Sequence, residues 1–455
     1  MDELIASLQK AYLPLQINKQ WNKQKKTFLS ECIIPSNMFV YSGKGATLQT
    51  NKGELIDLAS MTVNCILGQN DPWVNANMIA YLLSGRPSFL TTRLGSDYYY
   101  KVAKRIIKVS KMKNAVINHR QCNGTDVTEL AVLAAFKHRK EGSHLLASFT
   151  NSYHGQSLTS YLMSGLQQKH KFLIQDEPVL FLDQPTNTYD LEKSTVLSEK
   201  DQQTLDMLIH NASKVFAVII EPVQVNNAVN TPSIAFLKKL KEICIKHDIA
   251  LIYDEVQTGF GWLGTMSAAE RYGVYPNLMA LSKALTSGNG PLSALVSDKI
   301  YQDVVDGTGA KTNGADARSI VAANAVIDRL TGMSPKMIPD DIPYGLAQEL
   351  ATGLLAHFPR KAQLLQQHLE DVQQSAGGMI QSLKGYGLIR GIEIVDAKGN
   401  HDSVITKVLQ QRLLEAGVLV RHSKHTLIVK PPITVTDEEM EKGFDKIKRI
   451  IKKHL

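Results

Sequence analysis

Through the middle of the chain, short unbroken apolar runs alternate with longer segments whose apolar positions recur at helical spacing. Val215–Ile220 (VFAVII) and Ile249–Tyr253 (IALIY) are such runs. They are expected of strands covered on both faces. Leu145–Phe149 reads as a third buried strand. Between them, Val127–Lys140 has helical spacing, and so does Ser233–Lys246, which starts just after Pro232. From about residue 60 this alternation predicts an α/β fold with a large, mainly parallel sheet. Ahead of it, Ala46–Leu58 reads as two short strands joined at Asn51-Lys52-Gly53. After about residue 330 the pattern changes. Helices at Tyr344–Ala356 and His401–Ala416 alternate with strands at Leu388–Ile394 and Leu427–Val429. A last helix starts near Asp437, with acids in its first turn and lysines in its last, which suits the helix dipole. The organisation expected is an N-terminal segment with a small β subdomain (1–60), a large domain (61–325) and a smaller C-terminal α+β domain (326–455).

The composition changes this picture little. Of 455 residues, 44% are hydrophobic and 21% charged, so nothing argues for disorder. No apolar run approaches the roughly 20 residues that cross a bilayer, and Met1–Leu13 has no long apolar core of a signal peptide. A cytoplasmic protein is expected. Cys32, Cys65, Cys122 and Cys244 show no CxxC spacing, so neither a disulfide framework nor a metal site is expected. The net charge of +8 gathers at Lys19–Lys26 and on the last helix (Lys442, Lys446, Lys448, Arg449, Lys452, Lys453). No aromatic residues are interleaved on that helix for base stacking. It reads as a solvated face, with neither nucleic acid nor membrane as partner.

Five places carry candidate chemistry. Asp254 follows a buried strand, at the edge where α/β proteins place ligands. It suits a protonated ring nitrogen, but equally a helix cap or a satisfied core acid. Lys283 stands between Leu281 and Leu285, and burial there makes its amine a nucleophile for carbonyls. The alternative is a lysine snorkelling from a short apolar segment. Asn123-Gly124-Thr125-Asp126 opens a helix and offers an anion site or, more plainly, an N-cap at Thr125 or Asp126. Tyr153 and His154 follow a strand, where an aromatic ring can stack on a flat cofactor. Thr312, in Lys-Thr-Asn-Gly, is a further phosphate donor.

Together these residues resemble the class III aminotransferases, fold type I enzymes that use pyridoxal 5'-phosphate (PLP). The resemblance spans roughly residues 40–440 and is most specific over Leu251–Leu295, where DEVQTGFG is followed by a helix and then Lys283, 29 residues after Asp254. It implies that Lys283 holds PLP as a Schiff base and shuttles the Cα proton, while Asp254 keeps the pyridine nitrogen protonated. It also implies that Val256 packs on one ring face, Tyr153 stacks on the other with His154 beside it, and Gln257 reaches the ring oxygen. Gly124 and Thr125 bind the phosphate, Thr312 binds that of a neighbouring subunit, and Glu221 matches the Glu-Pro-Val segment. Active sites shared across a homodimer, or a dimer of dimers, follow from Thr312.

Three positions depart from the family pattern. Trp262 replaces an Arg after Gly259-Phe260-Gly261, and Asn226 or Asn227 replaces a Glu. Ile428 stands where an Arg precedes Pro431-Pro432. A buried carboxylate needs a paired cation, and Lys430, Arg421, Lys424 and Arg318 are the substitutes available. Trp262 either lines a substrate pocket or packs at a subunit interface. The function implied is transfer of an amino group from an amino acid or ω-amine to a keto acid or aldehyde. An amino-acid racemase or epimerase on the same site is the alternative, since it needs no second carboxylate substrate.

Overall fold

The computed structural model describes residues 38–91, 94–166, 178–189, 194–303, 309–314 and 316–454, with positions 5 and 9. The basic stretch at Lys19–Lys26 and Cys32 lie outside the described residues. Strands β1 (Val40–Lys44), β2 (Thr47–Thr50) and β3 (Gly53–Asp57) open the described chain. The central strands follow as β4 (Ala115–Gln121), β5 (Leu145–Phe149), β6 (Val179–Leu182), β7 (Val215–Ile220), β8 (Ala250–Asp254), β9 (Leu278–Leu281) and β10 (Ser293–Asp298). The last strands are β11 (Ile380–Tyr386), β12 (Ile389–Ile394), β13 (Val418–Leu419), β14 (Arg421–Ser423) and β15 (Thr426–Val429).

The central sheet runs β4-β10-β9-β8-β7-β5-β6. Its pairs are parallel except those of β10, which is antiparallel to both neighbours. Every residue of β7 is buried. Val215, Val218 and Ile220 join one core, while Phe216 and Ile219 join a second core with Val127, Leu130 and Ala134 of the helix Gly124–Lys137. That two-sided cover is why β7 reads as unbroken apolar sequence instead of alternating.

Two smaller sheets flank the first. β11-β12-β15-β14 is antiparallel throughout. In the other, β1-β2-β3-β13, the late strand β13 pairs in parallel with β3, Val418 opposite Ile56 and Leu419 opposite Asp57. The ends of the chain therefore build one lobe together. The helix Asp437–Lys452 packs on it so closely that a Cβ on Gly443 would lie 2.9 Å from Leu58 Cδ1. This helix carries Asp437, Glu438 and Glu439 in its first turn and Arg449 and Lys452 in its last, and Thr436 with Glu439 forms a capping box.

The elements expected from the sequence are present with shifted ends. The helix expected at Val127 begins at Gly124, because Asn123 is its cap and accepts from the Asp126 N–H at 3.0 Å. Thr125 and Asp126 are therefore not caps. The strand at Ile249–Tyr253 is displaced by one residue, so Asp254 is its last member. The helix from Tyr344 stops at Thr352, before Gly353 at φ 77°. The strand β13, two residues long and set by its partner, had no sequence signal of its own.

Candidate active site

Asp254 ends β8 and pairs in register with Ala280 of β9, three residues before Lys283. The sheet thus delivers both residues to one carboxyl edge. Lys283 opens a short 3₁₀ turn at φ 43°, left-handed for a residue with a Cβ. Such a conformation costs of order 1–3 kcal/mol and persists where the surroundings over-determine it.

A cavity of about 170 Å³ forms there, lined by the Asn123–Thr125 segment, Thr128, Tyr153–Gly155, Glu221, Val223, Asp254, Val256, Gln257 and Lys283. Nine of the twelve sequence-chosen residues thus meet in one place. Two glycines keep it open. A Cβ on Gly124 would sit 2.8 Å from Val256 Cγ1, and one on Gly155 would sit 2.5 Å from Thr125 Oγ1.

The charged groups are arranged as pairs. Asp254 Oδ2 lies 2.7 Å from His154 Nδ1, and both side chains are buried. Asp254 Oδ1 accepts from the Val256 N–H at 3.1 Å. Burial above all, and then Arg421, depress the Lys283 amine from the ordinary lysine value to about 8. Burial first, and Asp254 second, push the Glu221 carboxyl well above its usual range. Glu255, beside Asp254, faces away: it accepts from Ala268 and Ala269 N–H and from Thr258 Oγ1, each at 2.8 Å.

The residues present fit PLP, a flat ring bearing an anionic phosphate. The first turn of the helix Gly124–Lys137 offers amides without intrahelical partners and the positive end of the dipole. Gln257 Oε1 and His154 Nε2 are buried and have no protein partner. Val256 and Tyr153 supply surfaces for a ring, and Lys283 an amine for its aldehyde.

Three sequence choices fall elsewhere. Lys430 is fully buried and donates to the Gln257 carbonyl at 2.5 Å. Its Nζ stands 4.0 Å from the centre of the Trp262 ring. Neither lines the cavity, and the Lys430 amine is turned to the Gln257 carbonyl and the Trp262 ring. Trp262 is 0% exposed within a single chain, so it packs neither a substrate pocket nor a subunit interface. Thr312 is exposed and does not line its own chain's cavity.

Of the other cations, Arg318 pairs with Asp316 at 3.1 Å. Lys424 donates to Asn151 and Asn227 at 3.0 and 2.7 Å. Arg421 donates to the neutral Asn226 Oδ1 at 3.3 Å, and its charge is felt by Lys283 and Tyr153. The pairing of His154 with Asp254, across 100 residues, had no local signal.

Among the described residues one metal-like cluster is found, outside the cavity, at Glu393, His401 and His425. The two imidazoles stack 3.8 Å apart at 3°, and Lys384 takes the same carboxylate oxygen at 2.7 Å. Parallel rings cannot both aim a lone pair at one ion. The cluster reads as a Lys384–Glu393 ion pair with two imidazoles against the same carboxylate.

The family described as aminotransferase class-III matches residues 33–451. An acetylornithine aminotransferase from Haemophilus ducreyi is 27% identical over 394 residues, covering 85% of this chain and 86% of its own. An alanine/serine racemase from Pyrococcus horikoshii is 25% identical over 373 residues, covering 78% and 73%. The fold matches an S-selective transaminase from Bacillus megaterium with a TM-score of 0.79 at 20% identity, over 96% of this chain and 99% of that one. A family match over nearly the whole chain, on a fold type I scaffold, makes this protein a member of the class III aminotransferases.

Proposed function

We propose that this protein moves an amino group from an amino acid or ω-amine to a keto acid or aldehyde, with Lys283 as the attachment point for PLP. The observation that carries the reading is the depressed Lys283 amine in the same cavity as the Asp254–His154 pair. Bound PLP supplies an electron sink for charge developing at the carbon that carries the amino group. The chain's own groups do the rest. Lys283 would hold the cofactor through its neutral amine and would be the base that moves the proton at that carbon. Asp254, backed by His154, would hold a proton on the ring nitrogen. Tyr153 and Val256 would pack on the ring faces. Gly124 and Thr125 would hold the phosphate, and Gln257 the ring oxygen. Glu221, whose carboxyl burial pushes well above its usual range, lines the same cavity.

Arg421 is our choice for the substrate carboxylate. Its partner Asn226 is neutral, so its charge is uncompensated by a carboxylate among the described residues. Arg421→Leu is one way to probe this assignment, through the KM of carboxylate-bearing donors.

The Lys283 amine predicts a pH dependence. A neutral amine is required, and a value near 8 leaves about a tenth of it neutral at pH 7. PLP uptake by the apoprotein is therefore expected to speed up about tenfold per pH unit below 8 and to level off above it. Stopped-flow absorbance checks this. A rate that keeps climbing towards pH 10 would mean an ordinary exposed lysine.

Titration of the loaded protein with single amines or amino acids, with no keto acid present, tests the reaction type. Loss of the visible band with donor consumption establishes transfer. A persistent band with loss of the donor's optical activity favours the racemase reading, which the Pyrococcus horikoshii relative keeps in view.

Assembly belongs to the same reading. Between Ile79 and Tyr100, the side chains of Ile79, Leu82, Leu83, Phe89, Leu94 and Tyr100 are all exposed. Exposed apolar surface on this scale supports a protein partner. A homodimer, or a dimer of dimers, covers it and brings Thr312 to the neighbouring site. Sedimentation equilibrium is expected to give at least twice the 50.3 kDa chain mass. A monomer at micromolar concentration would count against shared sites.

The domain division at about residues 60 and 325 also belongs here, as does a cytoplasmic location. The free thiols Cys65, Cys122 and Cys244 suit a reducing compartment. Among the described residues no helix is long and apolar enough to cross a membrane.

A further inference from the structure

Trp262, which stands where the family pattern has an Arg, and Lys430, two residues after Ile428, are separated by 168 positions, yet the fold sets them against each other. Lys430 directly follows β15, just before Pro431-Pro432, whose rings stiffen the backbone that leaves it. Its N–H donates to the Leu58 carbonyl at 2.6 Å, and its carbonyl accepts from Ser60 Oγ at 2.8 Å. The main chain is thus fixed on both sides. The side chain then crosses to the turn after β8. There its Nζ meets two things: the Gln257 carbonyl at 2.5 Å and the face of Trp262 at 4.0 Å.

No carboxylate among the described residues pairs with this fully buried amine. Burial, Lys283 and Arg421 all oppose its charge, so it sits well below the ordinary lysine range. A buried N–H donor without a carboxylate needs a carbonyl oxygen or an aromatic face. Lys430 has one of each, both on the turn that carries Gln257. The Gln257 side chain lines the PLP cavity, and its Oε1 is buried with no protein partner.

We propose that Lys430 is a positioning residue: braced on Trp262, it holds the Gln257 main chain and so aims the Gln257 carboxamide into the cofactor cavity. The inference rests on the PLP reading above. An Arg at position 262 would set a guanidinium against the buried Lys430 amine, whereas the indole offers it a π-face.

A double-mutant cycle tests the proposal. Lys430→Met keeps the stem and removes the donor, and Gln257→Ala removes the group it aims. Each is expected to weaken PLP affinity about tenfold, and the double variant no more than either single, because both act through one carboxamide. Affinity is read by equilibrium absorbance titration, independently of turnover. Additive losses, about a hundredfold together, overturn the proposal, since a general packing role for Lys430 would add to the loss of Gln257. If Lys430→Met fails to fold, Trp262→Phe replaces it in the cycle. The contact itself is read from melting temperatures of the apoprotein. Trp262→Arg is expected to lower the melting temperature in the Lys430 background and to lower it less in the Lys430→Met background. Equal drops overturn the pairing. A wild-type protein that takes up no PLP overturns this proposal together with the PLP reading. Wild-type uptake with an additive cycle overturns this proposal alone.

Discussion

Lys283→Ala is expected to lose covalent PLP and to reduce turnover by about four or more orders of magnitude. Three observations converge on this residue. It follows β9 at the edge where Asp254 ends β8. Its backbone is held at φ 43°, a conformation the surrounding turn imposes. Its amine lines the cavity, and burial depresses it to about 8. A lysine kept there for stability alone has no reason to be desolvated beside Asp254 and Glu221. Removing it takes away an amine that the fold solvates poorly, so the variant is expected to stay folded, with circular dichroism close to wild type. Hydride reduction of the loaded wild-type protein, followed by peptide mapping, should put the added mass on Lys283. In the variant the added mass should vanish, and PLP should dialyse away. Activity within tenfold of wild type, or added mass on another lysine, would sink the assignment.

Asp254→Asn is expected to retain PLP but to cost about three orders of magnitude in rate. The amide keeps the carboxylate's shape and can still accept the Val256 N–H that Oδ1 now receives at 3.1 Å. What it loses is the negative charge. Without that charge, nothing in the cavity holds a proton on the ring nitrogen, and the electron sink weakens. His154, at 2.7 Å from Oδ2, backs the carboxylate. His154→Asn should therefore cost less, about tenfold. The pair of variants is read by single-turnover kinetics with a saturating donor. Equal effects would assign the charge to both residues as one unit, and an unchanged Asp254→Asn rate would show that the carboxylate serves the fold only.

How much of this was readable in advance varies by element. β7 and β8 were legible because both faces are covered, and the whole run is apolar. The helix end at Gly124 was missed by three residues, since Asn123, Thr125 and Asp126 are all good caps and only the backbone chooses among them. The cavity residues were legible as local motifs, each tied to a strand end or helix start. The partners of those residues were not. Lys430 looked like a free cation for a substrate carboxylate and is instead bonded to Gln257. Trp262 looked like a pocket or interface residue and is instead the surface beneath Lys430.

The sequence by itself determined the class of fold and singled out Lys283 and Asp254 as candidates, because strand burial, helix starts and sharp turns are written in neighbouring residues. Tertiary structure alone decided which charges meet. His154 with Asp254, Lys430 with Trp262, Arg421 with Asn226 and β13 with β3 are all pairings across 100 or more residues. The physical reason is range. Propensity and periodicity act over a few residues, whereas the energy of a buried polar group depends on whichever distant group satisfies it.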